Sequence, residues 1–145
     1  MKRYLLDSNI IISIWNKDEK LMDKILKENK IVILKEVLNE LVVKETKEYR
    51  RREVLSERFC KLLPYSFNIE YENLRGFYMI FDYEIKPKFK NNNLSRNDLM
   101  ELYTCYVEED LVLVTEDKQL YDIARFVLGK NRVMEINTLL NEIIY

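Results

Sequence analysis

The sequence predicts an α/β fold, a three-layer α/β/α sandwich with a mostly parallel central sheet. The alternation of apolar runs and helical stretches carries this. Short apolar runs recur at residues 3–6, 31–34 and 111–114, and stretches with helical spacing separate them. Strands that alternate with helices are joined by crossovers, which place the strands parallel and helices on both faces. The chain has only two glycines, so it carries no glycine-rich phosphate loop.

Residues 3–6 read as the first strand, and the apolar run stops abruptly at Asp7. A short helix is expected over 10–15. A second, over 18–28, carries Leu21, Met22, Ile25 and Leu26 at helical spacing, and a turn follows at Asn29 and Lys30. The second strand is 31–34. One long helical pattern then runs from 35 towards 63, where Pro64 limits it. Its first half aligns Leu34, Val37, Leu38 and Leu41, and its middle is densely charged, with Arg50, Arg51 and Arg52 in a row. Residues 70–83 read as a helix rich in Tyr and Phe. Residues 85–97 form a basic loop that includes Asn91, Asn92 and Asn93. A helix over 99–107 places Leu99, Leu102, Tyr103 and Tyr106 on one face. A buried strand at 111–114, a helix to about 128, a short strand at 132–134 and a closing helix at 138–144 complete the chain. One domain is expected over 1–145, with a charged helical section around 44–90.

Composition narrows the chemistry. Apolar residues make up 48% and charged residues 34% of the chain, as in a compact domain with a core. The net charge of −1 supplies no global basic field, so nucleic-acid binding would need local patches. Histidine is absent, which removes the commonest general base and metal ligand and leaves carboxylates for both tasks. Oxygen ligation points to Mg²⁺ or Mn²⁺ rather than zinc. Cys60 and Cys105 lack metal spacing and read as buried free thiols of a reducing, cytoplasmic setting. No apolar run approaches a membrane span.

Four carboxylates stand out, each beside a plainer explanation. Asp7 ends a strand at the edge where open α/β sheets bind ligands, but it also precedes a helix; as a cap it competes with Ser8 and Asn9. Glu40 lies on the flank of the apolar stripe of its helix, though most helical glutamates are simply solvated. Asp98 fits a capping box with Ser95, and Glu101, one turn later, is a supplementary acid. Asp117 follows the strand at 111–114 as Asp7 follows the first, with helix capping by Asp117 or Thr115 as its alternative. Converging carboxylates repel one another unless cations lie between them, so the set is either a metal site or a group that the fold does not bring together.

The runs Leu5-Leu6-Asp7-Ser8-Asn9, Asn39-Glu40-Leu41, Asn97 to Leu102 and Leu113 to Asp117 resemble the PIN-domain ribonucleases, and in style the toxin subunits of VapBC-type toxin–antitoxin pairs. The resemblance implies that Asp7, Glu40, Asp98 and Asp117 are the metal-binding, catalytic acids, with Ser8 and Thr115 as polar supports. It implies cleavage of RNA with Mg²⁺ or Mn²⁺, a small antitoxin that blocks the site, and a homodimer. Lys86, Lys88, Lys90 and Arg96 are placed to bind RNA backbone phosphates, as are Arg50, Arg51 and Arg52, for which solvation is the plainer explanation. Tyr78, Tyr83 and Phe89 are candidates for base stacking. The rival readings are a nuclease of RNA processing, a PIN-like binding module without activity, and a haloacid-dehalogenase-type phosphotransferase. The last needs a second Asp where this chain has Asn9.

Overall fold

The computed structural model describes residues 2–28, 30–90 and 92–143. Asn29 of the expected turn, Asn91 of the basic loop and Ile144 of the closing helix lie outside these residues.

Strand β1 (Arg3–Leu6) leads into helix α1 (Ser8–Lys17) with Asp7 between them as N-cap. Ile10, Ile11 and Ile14 of α1 are fully buried, each contributing about 1.5–3 kcal/mol of apolar transfer. Asp18 caps α2 (Glu19–Lys27), whose Met22, Ile25 and Leu26 face the core. Strand β2 (Ile31–Leu34) runs into α3 (Lys35–Glu45), which buries Val37, Leu38 and Leu41 as the periodicity requires.

The long helix expected over 35–63 stops at Glu45. The chain turns instead into an antiparallel hairpin, β3 (Thr46–Tyr49) and β4 (Arg52–Leu55), followed by a single turn of helix, α4 (Glu57–Cys60). Arg50 and Arg51 form the two-residue turn at φ 51° and 65°. Positive φ at both central residues is type I′ geometry, which Asn-Gly normally supplies; for a residue with a side chain it costs roughly 1–2 kcal/mol. At the base of the hairpin Glu45 is 5% exposed. Arg58 Nε and Nη2 donate to its two oxygens at 2.5 and 2.9 Å, and Ser56 Oγ donates at 2.7 Å. These contacts, Arg58 foremost, hold the Glu45 carboxyl below its usual range. The Arg58 guanidinium also lies 4.4 Å from the Trp15 ring.

Strand β5 is the two-residue Ser66–Phe67, which the sequence reading did not anticipate. The helix expected over 70–83 is α5 (Leu74–Ile80), continued by a π-helical turn (Phe81–Ile85) and a 3₁₀ turn (Lys86–Lys88). The helix expected from 99 starts earlier: α6 (Arg96–Val107) opens on a full capping box between Ser95 and Asp98. Of the residues expected on one face, Leu102 and Tyr103 are buried and Tyr106 is exposed. Strand β6 (Leu111–Val114) precedes α7 (Lys118–Leu128), capped by Asp117 and ended by Gly129 at φ 103°, a conformation open to glycine. Strand β7 (Val133–Met134) and α8 (Ile136–Ile143) close the described fold.

The sheet is parallel in the order β5-β2-β1-β6-β7 and is flanked by the helices, a three-layer α/β/α arrangement. All four residues of β6 and the last three of β1 are buried, as in a sheet covered on both faces. Cys105 is buried, whereas Cys60, expected to be so, is exposed; both are free thiols. No helix of the described residues is long and apolar enough to cross a membrane.

Candidate metal centre

Adjacent strands β1 and β6 end together: Leu6 pairs with Val114, so the residues just beyond each strand meet at the C-terminal edge of the sheet. Asp7 is 5% exposed there, and fully buried Thr115 donates from Oγ1 to Asp7 Oδ2 at 3.0 Å. The backbone N–H of Ser8 donates to Asp7 Oδ1 at 2.7 Å. Asp7 therefore caps α1 itself, rather than leaving that role to Ser8 or Asn9, and the capping contact fixes the direction of its carboxylate. Thr115 Oγ1 also accepts the backbone N–H of Asp117 at 3.1 Å, tying the second strand-end acid to the first.

The capping box at the start of α6 supplies the opposite wall. Asp98 N–H donates to Ser95 Oγ at 3.1 Å, and Ser95 N–H donates to Asp98 Oδ2 at 3.2 Å. Glu101, three residues on, points the same way along the helix. It is fully buried, and neither carboxylate oxygen has a hydrogen-bond partner among the described residues. Carboxylate oxygens of Asp7, Asp98 and Glu101 all lie within 4.8 Å of one another. A cleft of about 430 Å³ opens over Asp7 and Asp98, with Glu101 buried beneath them, and Glu40, Lys44, Ser8, Asn9, Ser95 and Asp117 also line it.

Burial pushes the Asp7 carboxyl up, with the charges of Glu40 and Asp117 adding to the rise and the Thr115 and Ser8 hydrogen bonds opposing it. Burial, with the Asp7 and Asp117 charges, raises Asp98 to about 6 against the Ser95 hydrogen bonds. Glu101 is raised well above the ordinary carboxylate range, by burial first, then by the charges of Asp7, Asp98 and Glu40 and, in its protonated form, by a hydrogen bond to Asp7. A cluster of this kind is stabilised by protons or by a cation. The donor set is entirely oxygen, which suits a hard divalent ion, and the orphaned Glu101 carboxylate fits one: coordination would supply the partner it lacks.

All four acids read from the sequence line one cleft, and Thr115 supports Asp7 as expected. Ser8 contributes its backbone N–H to Asp7. Glu101 stands closer to the centre than its supplementary rank suggested, because burial of a helical glutamate has no signature in local spacing. Lys44 was missed; its one signal is the four-residue spacing from Glu40 on α3.

Of the basic loop, Ser95 lines the cleft, but Lys86, Lys88, Lys90 and Arg96 do not. Lys88 Nζ lies 4.9 Å from the Phe126 ring, Lys90 lines a separate hollow with Phe89 and Lys118, and Lys86 lies in the 3₁₀ turn. Arg96 is exposed at the start of α6. Of the stacking candidates, Tyr83 is exposed, Tyr78 is half-buried, and Phe89 packs edge-on against Phe126.

A carboxylate cluster at the C-terminal edge of a parallel sheet, between a strand-end aspartate and a capped helix, is the candidate metal site of an α/β protein. The PIN domain family matches residues 4–126, and the chain belongs to that family. PIN domains are in general metal-dependent nucleases that act on RNA. Among solved structures the chain is similar to PAE2754 from Pyrobaculum aerophilum, with a TM-score of 0.64 and 22% identity over 98% of this chain and 95% of that one. At that identity the likeness speaks for the fold. A comparison with curated proteins gives no match.

Proposed function

We propose that this chain is a metal-dependent endoribonuclease that hydrolyses RNA phosphodiester bonds in the cleft over Asp7. The observation that carries this reading is Glu101, a fully buried carboxylate without a hydrogen-bond partner beside Asp7 and Asp98. In it Asp7, Asp98 and Glu101 would hold a divalent ion, Mg²⁺ or Mn²⁺, with Asp117 and Glu40 as the further acids of the cleft. When bound, such an ion neutralises phosphate charge and lowers the pKa of an attacking water, the base that a chain without histidine lacks. Thr115 and the Ser8 N–H hold the Asp7 carboxylate in one orientation. Lys44, on the cleft wall, offers an ammonium to the substrate phosphate.

We also propose, on the resemblance of residues 5–9, 39–41, 97–102 and 113–117, that the chain is a toxin held inactive by a small antitoxin over this cleft. Expression of the chain alone should arrest growth, and expression with Asp7→Asn should not.

The direct test is Mn²⁺-dependent cleavage of an RNA oligonucleotide. Asp7→Asn is expected to lower the rate by at least ~100-fold, the scale of a lost charge-stabilising group, with an unchanged circular dichroism spectrum. EDTA is expected to stop cleavage altogether. Full activity of the Asp7→Asn chain, or activity in EDTA, would sink the assignment.

A further inference from the structure

The hairpin between α3 and α4 carries three consecutive arginines that neither the core nor the acidic cleft uses. We propose that this hairpin is an RNA-binding arm, which grips the backbone of the strand presented to the cleft; the proposal rests on the ribonuclease reading above.

Placement comes first. Lys44 lines the cleft and β3 begins at Thr46, so the arm springs from the cleft rim. Four strand residues then carry the chain roughly 13 Å to the turn.

Charge comes second. Residues 46–55 hold Lys47, Arg50, Arg51 and Arg52 against Glu48 and Glu53, in a chain whose net charge is −1. Among the described residues none of the three arginines is in an ion pair. Lys47, Arg51 and Arg52 share one hollow of about 350 Å³ along the hairpin with Thr46, Glu48 and Glu53. The turn adds to this: Arg50 and Arg51 occupy the two positive-φ positions that Asn-Gly would fill without strain. Stability alone does not select guanidinium groups for that turn.

The acidic cleft indicates which polyanion the arm serves. A phosphodiester chain approaching Asp7, Glu40, Asp98 and Asp117 is repelled unless cations flank its path. Guanidinium groups pair with phosphate oxygens in a two-pronged fashion. Tyr49 is 59% exposed beside them, with the Arg50 guanidinium 5.2 Å from its ring, and offers a surface to an unstacked base. The clamp of Glu45 by Arg58 and Ser56 keeps the base of the arm in place, so the arginines are presented from a fixed root.

The test is fluorescence anisotropy of a labelled single-stranded RNA with the full chain in EDTA, across a salt series. The double variant Arg50→Asn, Arg51→Gly installs the preferred turn and removes two cations. It is expected to bind about tenfold more weakly at 0.1 M salt. Its log affinity against log salt should be shallower by about 1.4, at ~0.7 per phosphate contact. Its melting temperature should equal or exceed that of the parent, and Arg50→Lys, Arg51→Lys should retain the salt slope. Unchanged affinity and slope in the Asn-Gly variant overturn the proposal. Displacement of the RNA by poly-glutamate as readily as by unlabelled RNA overturns it in favour of an acidic protein partner. Because the assay contains no metal, a chain that binds through the arm but fails to cleave with Mn²⁺ counts against the ribonuclease reading and not against the arm.

Discussion

Taking the Glu101 carboxylate out of water leaves both oxygens without a donor, and Asp7 and Asp98 add negative charge beside it. A buried polar group in this condition costs on the order of 1–3 kcal/mol, and more when charged. Glu101→Gln keeps the shape and removes the ionisable group. The metal-free variant is expected to match or exceed the parent in urea denaturation, while its stabilisation by Mn²⁺ is lost. Retention of the Mn²⁺ effect would remove Glu101 from the ligand set.

The pH dependence follows from the same residues. Asp7, Asp98 and Glu101 all have carboxyl groups raised above their unfolded values, Asp98 to about 6. Between pH 4 and 6 the folded chain therefore binds more protons than the unfolded one. Metal-free stability should fall as pH rises through this window. Bound metal requires deprotonated ligands, so the Mn²⁺-induced rise in melting temperature should grow from pH 5 to 7.5. A shift that is flat with pH in paired EDTA and Mn²⁺ melts would contradict the cluster. Strand-end position made Asp7 and Asp117 legible in the sequence, and the Ser95–Asp98 box could be read outright. The weight of Glu101 could not, because it depends on how deeply α6 is buried, which is a tertiary fact.

At the level of elements, the hairpin is where the sequence reading and the structure part. Residues 46–49 and 52–55 are almost wholly exposed, so they show no alternation of buried and polar positions, and the turn lacks the Asn-Gly that marks a hairpin. A run of Lys, Glu and Arg with strong helical preference reads as helix under those conditions. The structure overrides that preference at the root, where Glu45 is buried against Arg58. Removing Arg58 would strand a buried carboxylate and uncover the Trp15 ring. Because Arg58 is partly exposed, the full cost of breaking a buried pair is discounted: Arg58→Ala should destabilise by about 1–3 kcal/mol. Arg58→Lys should recover only part of that, since an ammonium cannot reproduce the two-pronged contact. Faster tryptic cutting at Arg50–Arg52 in Arg58→Ala would place the loosened segment; a cutting rate equal to that of the parent would show that the root is held by other contacts.

Across the whole molecule, the alternation of strands and helices was legible because buried parallel strands are short apolar runs and the intervening helices carry regular stripes. Strand order was not. Nothing local states that β1 lies between β2 and β6, and β5, with two residues, is too short to leave a pattern. Yet that order makes the cluster possible, since it sets Asp7 beside Thr115 while α3 and α6 bring Glu40, Asp98 and Glu101 to the same edge. The site is thus a property of the folded whole, and an ion bound there stabilises the whole. At a Mn²⁺ concentration of about 100 times Kd the gain is ~2.7 kcal/mol, several degrees in melting temperature for a chain of this size. Asp7→Asn should abolish most of it in a thermal melt, and an undiminished shift would place the ion elsewhere.

The turn at Arg50 and Arg51 divides the chain into two polypeptides with complementary shares of the cleft. The segment before it carries Asp7, Glu40 and Lys44; the segment after it carries Asp98 and Asp117, with Glu101 and Thr115 buried behind them. Neither share holds Asp7, Asp98 and Glu101 together, and β1 finds its neighbour β6 only in the other piece. A break at this one exposed turn therefore converts the protein into a two-fragment system, in which recovered Mn²⁺ binding on mixing reports directly on reinsertion of β1 between β2 and β6.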